Sequence, residues 1–305
     1  MNKEEIRQKI IKPSWNLVLS KTSLKKFYIL PWLLSMIFMT GLLVYQFTYT
    51  AVILFKQDDA ALKVLLDFFH SDYLVPLLIT AAIIVVLYFV IAPIFEVWLI
   101  KRIESIKNWK EMSASDAIGQ WVVNFWPIFE YNNIFSEFKL LSVLNLYLFS
   151  IRFVWVKYIT WISYVFIFLA IMSIIINILF AYAKYVLILE KKWIFDSISK
   201  SVQLVLFNLH ITIRLYFLMF VLNARVILNF IVFLFIPMSI IWALTYITSQ
   251  IVLFIAILLL SIIWIWIFII IAYLGTVLDI LKTSIWYYAY LEALDNAQKM
   301  HWHED

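Results

Sequence analysis

Long uninterrupted apolar runs alternate with short polar intervals along this chain, and the runs exceed the roughly 20 residues that cross a ~30 Å hydrocarbon layer. The run at 27–55 predicts a first transmembrane helix, with Trp32 at interface depth and Pro31 near the helix start, where its missing N–H is tolerated. Runs at 73–100, 140–156, 159–189 and 249–278 predict four more. From His210 to Ile247 the sequence is nearly continuous apolar residues holding Arg214, Asn223 and Arg225. That is about 38 residues, or about 57 Å of helix, too long for one span and tight for two. The reading adopted places one span at 226–247; the alternative runs from Ile211 to Phe235 and buries Arg225. A separate crossing by Ile211 to Leu222 would make seven spans and put the carboxyl end outside.

Between the runs, four segments have apolar residues at helical spacing and read as interfacial amphipathic helices. They are 3–20, broken by Pro13; 114–126, started by Ser113-Ala-Ser-Asp116 and stopped before Pro127; 193–222; and the tail 279–300. The pattern therefore predicts an all-α fold, a polytopic integral membrane helical bundle in one domain over 1–305, with about six transmembrane helices plus interfacial helices.

Composition sharpens this. Hydrophobic residues make up 65% of the chain and charged ones 14%, whereas soluble domains are about 25% charged. A water-soluble fold of this size has no interior large enough for that much apolar side chain. The chain has no cysteine, which removes disulfides and thiolate catalysis together.

A net charge of +5 could suggest a nucleic-acid partner, but the basic residues sit beside the spans. On the six-span map only Lys56, Lys63, Arg152 and Lys157 fall outside or at the outer rim, the bias that the positive-inside rule expects of a cytoplasmic membrane protein. Both ends are thus expected in the cytoplasm, the membrane being a prokaryotic inner membrane, with lipids rather than nucleic acid as partners.

The stretch Ala181-Tyr-Ala-Lys-Tyr-Val-Leu-Ile-Leu-Glu190-Lys-Lys-Trp-Ile-Phe-Asp-Ser-Ile-Ser-Lys-Ser201-Val-Gln-Leu-Val resembles the membrane domain found in some bacterial glycerophosphodiester phosphodiesterases and related uncharacterised polytopic proteins. There a span ends in an apolar run, a glutamate, a turn and an amphipathic helix carrying a serine; Glu190, Asp196 and Ser201 match. The Ser-Ala-Ser-Asp-Ala-Ile helix and the Tyr287-Tyr-Ala-Tyr290 tail are also similar. The resemblance implies a membrane layout and no activity, because hydrolysis in those proteins belongs to a separate barrel domain absent here. One departure is that Trp121 and Trp193 stand where the family usually has glycine, in a chain with 14 tryptophans and three glycines. One reading of this is a gene that decodes UGA as glycine.

Candidate chemistry is sparse. The sequence has no Walker loop, no Gly-x-Ser-x-Gly, no His-Glu-x-x-His and no dinucleotide fingerprint, so neither catalysis nor a cofactor is expected. His301-Trp-His303 reads as a terminal tail rather than a metal site. Ionisable residues inside a membrane cost about 2.5–3.5 kcal/mol on insertion scales, which singles out Glu96, Arg225 and Asp279.

Glu96 follows Pro93 by one helical turn; it could face a polar pathway beside a kink, or pair with Lys101 at the interface. Arg225 and Asp279 could neutralise one another at similar depth, or snorkel independently. Lys25, Lys26, Lys101 and Arg102 form an inner ring suited to anionic lipid headgroups, although ordinary topology signals would look the same.

The function that this supports is a non-enzymatic scaffold, binding lipid, another membrane protein or a second copy of itself. A small-solute permease or channel is the alternative. Three glycines are few for the broken helices of a transporter.

Overall fold

The computed structural model describes residues 2–54, 74–109, 114–136, 140–153, 158–224 and 250–301, and among these the regular structure is helical throughout. The N-terminal segment is α1 (Lys3–Ile6), a π-type turn (Arg7–Ile11) and α2 (Lys12–Ser20). A capping box starts it: the Asn2 side chain accepts from the Glu5 N–H at 2.9 Å, and Glu5 accepts from the Asn2 N–H at 3.0 Å. The expected break at Pro13 does not occur. The Lys12 N–H donates five residues back to the Arg7 carbonyl, and this wider turn leads the chain into a helix whose first turn holds the proline.

The long helices also run past their expected ends. Helix α3 spans Thr22–Leu54, so Pro31 lies inside it and not at its start. Helix α4 spans Leu74–Lys107 and continues beyond the Lys101-Arg102 stop. Helix α5 (Ala114–Ser136) passes through Pro127, where a stop was expected, and is longer than the 114–126 piece expected. Next come α6 (Leu140–Phe153), α7 (Ile159–Leu179), α8 (Ala183–Glu190) and α9 (Ile194–Phe207). Helix α10 (Leu209–Ala224) leaves α9 at 99°, so 193–222 is a sharp elbow and not one interfacial helix. The last helix, α11 (Gln250–His301), is 52 residues, about 78 Å long. Its tail 279–300 is the same helix continued. The expected span at 226–247 lies outside the described residues.

Aromatic contacts set the directions. Phe27 packs on Trp98 at 5.7 Å and Phe38 stacks on Tyr88 at 4.8 Å, so α3 and α4 are antiparallel. Tyr147 on α6 meets Ser163 on α7 at 2.9 Å. Asn208 reaches the Ala293 carbonyl and Tyr216 packs on Trp286 at 5.1 Å, so α10 and α11 are antiparallel too. The close approach of α3 and α11 is made at Gly275, where the Trp32 indole occupies the space a Cβ would need.

Burial is uneven along these helices. The fully buried side chains gather where α2, the start of α3, the end of α4, α8, α9 and the C-terminal half of α11 meet: Ile10, Leu24, Leu99, Ile103, Tyr185, Ile188 and Tyr290 are among them. Away from that end, Leu78, Val86, Tyr164, Phe168, Ile262 and Ile269 point outward. The most apolar stretch of α4 contains no buried residue, and those of the α7–α8 segment and α11 almost none. Exposed apolar walls of this extent are stable only in hydrocarbon. By length and composition, Leu74–Lys107, Ile159–Glu190 and Leu258–Lys299 are candidate membrane spans, and the α9–α10 pair is a fourth if counted as one broken span.

Candidate functional site at the buried end of the bundle

Three polar hubs sit at the buried end, and each joins elements far apart in sequence. The first is built on Glu96. It lies one turn after Pro93 on α4, beside the buried run Val97–Ile100, and its carboxylate accepts from Lys184 Nζ at 2.8 Å and Asn132 Nδ2 at 3.0 Å. These partners stand on α8 and α5. Both charged side chains are half-buried, Lys184 at 31% and Glu96 at 22% exposed. Tyr131, beside Asn132, donates to the Phe180 carbonyl at 3.4 Å and so holds α5 on the α7–α8 turn. The expected Lys101 partner is occupied elsewhere: Lys101 pairs with Glu104 at 3.0 Å, one turn along α4.

The second hub is Glu190, the last residue of α8. It accepts from Lys200 at 2.6 Å and from the Tyr290 hydroxyl at 2.5 Å, and lies 3.6 Å from Lys192. One carboxylate thereby ties α8 to α9 and α11, and spans the left-handed turn at Lys191 that separates α8 from α9.

Between these hubs, helix continuity is lost at Phe180–Tyr182, and one hydroxyl repairs it. Ser201, fully buried on α9, donates to the Leu179 carbonyl at 2.9 Å and accepts from the Tyr182 N–H at 3.1 Å. A buried break would otherwise leave a backbone donor and acceptor without partners. Glu190 and Ser201, two residues of the family-like stretch, thus hold the α7–α8–α9 turn together, while Asp196 sits in the first turn of α9, where an acidic side chain complements the helix dipole.

The third hub is Asn208, buried in the α9–α10 elbow. Its amide donates to the Leu204 and Ala293 carbonyls at 3.0 and 3.3 Å, and its Oδ1 accepts from Asn296 at 2.9 Å. Nearby, the Tyr182 hydroxyl meets Thr212 at 3.1 Å, Tyr185 donates to the Thr283 carbonyl at 3.1 Å, and Tyr216 donates to the Asn177 carbonyl. At the periphery Lys9 bonds Glu292 at 2.6 Å and joins the two ends of the chain; the hydrogen bond to this carboxylate raises the lysine pKa.

Of the residues singled out in sequence, Glu96 lies in a hub. Asp279 is paired with Lys282 at 3.3 Å on its own helix. Arg225 lies outside the described residues, and so does its suggested pairing with Asp279. Lys25, Lys26 and Arg102 are partly or fully exposed, at the ends of α3 and α4 that pack side by side, whereas Lys101 is only 13% exposed.

Sequence reasoning missed Lys184, together with Asn132, Asn208, Asn296 and Tyr290. Lys184 carried a usable signal, being an ionisable residue inside an apolar run, which is the same criterion that found Glu96. The asparagines carried none, because their partners are remote in sequence.

Chemically, the hubs pair each carboxylate with a lysine, and asparagine amides with carbonyls. That arrangement holds charge in place and cross-links helices. Comparison of the chain with protein-family models, curated proteins and solved structures finds no match in any of the three.

Proposed function

We propose that this chain is a non-enzymatic membrane scaffold of a prokaryotic inner membrane, with six spans, both ends in the cytoplasm, and a helical base on the inner side that contacts lipid headgroups and a membrane partner. One observation carries the reading: the intramembrane carboxylate Glu96 is bound to Lys184 and Asn132, so its charge serves to join α4, α5 and α8. The resemblance to the membrane domains of glycerophosphodiester phosphodiesterases agrees with a module that accompanies other activities. Lys25, Lys26 and Arg102, with exposed surface at one end of α3 and α4, are the headgroup contacts in this reading.

For the fifth span we favour the alternative that begins at Ile211, whose described part, to Ala224, lies in α10. Thr212 is level with Tyr182, and Tyr216 is level with Asn177, so α10 climbs alongside α7 in the opposite direction. Spans on α3, α4, α6, the α7–α8 segment, the helix begun by α10, and α11 then total six and return the carboxyl end to the inside.

A permease is the second reading, and a specific feature favours it. The break at Phe180–Tyr182 and the 99° elbow at Asn208 are both interruptions of apolar helices, and Ser201 and Thr212 link the two neighbourhoods. Purification from native membranes, followed by flux measurements in proteoliposomes, separates the readings. Co-purification of a stoichiometric membrane protein without solute flux supports the scaffold; substrate flux abolished by Glu96→Gln overturns it.

A further inference from the structure

Helix α4 ends in a turn whose geometry asks for a residue other than the one written there. The Asn108 N–H donates to the Glu104 carbonyl at 3.0 Å and the Trp109 N–H to the Ile106 carbonyl at 3.3 Å, the bonds that close a helix at its C-terminus. Trp109 has φ +55°, the left-handed conformation, at the position after the cap where glycine is the commonest residue. A Cβ is strained in that conformation, and the indole gains no packing within the protein to offset it, since Trp109 is 94% exposed. Among the described residues the other left-handed non-glycine, Lys191, lies in a turn clamped by Glu190, which holds lysines on both α9 and the turn itself.

The composition points the same way. Glycine averages about 7% in proteins, so about 21 would be ordinary in a chain of this length; there are three, beside 14 tryptophans. Geometry also sorts the tryptophans. Trp32 fills the space over Gly275, Trp98 packs between Phe27 and Phe95, and Trp286 contacts Tyr182 and Tyr216. Trp109, in contrast, stands in a left-handed turn at a helix end with its indole exposed, whereas Trp193 at the start of α9 has ordinary extended backbone.

We infer that position 109 is glycine in the protein as its own cell makes it, the codon read as tryptophan being decoded there as glycine. Helix α4 then closes on an Asn-Gly pair that needs no strain, and protein made in a host that inserts tryptophan carries a defect at this point. Peptide mass spectrometry of protein isolated from its native membranes tests the inference directly. A glycine-bearing peptide across 109, with UGA at that codon, is expected; an indole at 109 in the native protein, or a UGG codon there, overturns it. In recombinant protein carrying tryptophan, W109G should raise the thermal midpoint by about 2 °C over W109A. Equal midpoints for W109G and W109A would refute the backbone argument, because both variants remove the indole and only glycine relieves the left-handed Cβ.

Discussion

The Glu96 carboxylate on α4 binds the Lys184 ammonium on α8 at 2.8 Å, across 88 residues of sequence and between two of the candidate spans. Each group alone would oppose membrane insertion; together they form a neutral cross-link. Either E96K or K184E should lower the yield of folded protein, with a cost of about 1–3 kcal/mol, between the values for exposed and fully buried pairs. The double swap E96K/K184E should recover most of it. Detergent-solubilised yield by fluorescence size-exclusion chromatography reads this out, and a double swap no better than the worse single variant would refute the cross-link.

Ser201 satisfies both orphaned backbone groups at the α7–α8 break. Ser201→Ala should therefore cost about 1–3 kcal/mol, more than a surface serine-to-alanine change. Ser284 offers the control: it is fully buried, its hydroxyl has no partner among the described residues, and Ser284→Ala should be neutral or slightly stabilising. Equal thermal midpoints for the two variants would contradict the assigned role of Ser201.

Gly275 lets α11 meet α3 at the Trp32 ring, which lies 1.9 Å from where a Cβ would stand. Gly275→Ala should cost about 1–3 kcal/mol by overpacking. Trp32→Leu in the same chain should relieve the collision in large part. Additive losses in the double variant would place the strain elsewhere.

The Lys9–Glu292 bond has a defined pH dependence. Its lysine pKa is raised above the ordinary 10.5, so the stabilisation is complete at neutral pH and is lost as pH rises through the raised value. With Lys9 half exposed, the bond contributes at most about 1 kcal/mol. The difference in thermal midpoint between the parent and Lys9→Met should be constant from pH 7 to about 10 and shrink above that; a difference that grows with pH would have the wrong sign.

How much of this was legible in the sequence follows from what each feature depends on. The spans at 73–100 and 159–189 were readable because a lipid-facing helix is apolar on all sides over a countable length, and the apolar outer residues of α4 and α7 are that signal. Helix ends were misjudged where proline was taken as an interruption: Pro13 and Pro127 both lie within continuous helix. Nor did composition reveal that α11 continues past Asp279, since a helix leaving the membrane changes its surface and not its backbone.

Glu96 was found from cost alone, yet the one partner considered for it, Lys101, was suggested by proximity in sequence, when its partner in space is Lys184. The elbow at Asn208 was invisible. A lone asparagine in an apolar run gives no sign that Ala293 and Asn296 are waiting to bind it.

The proposed scaffold requires one arrangement: a bundle whose buried, polar-pinned end faces the cytoplasm and whose apolar walls face lipid. The absence of native cysteine makes it directly measurable, since single cysteines can be placed without background. Ser20→Cys, Asn108→Cys, Tyr158→Cys, Gln250→Cys and Asn296→Cys would each be treated with a membrane-impermeant maleimide in intact cells and after permeabilisation. Labelling of positions 158 and 250 in intact cells, with 20, 108 and 296 labelled only after permeabilisation, is the expected result. Labelling of 296 in intact cells alongside protection of 20 would mean an odd number of spans and would contradict the fold-to-membrane assignment made here.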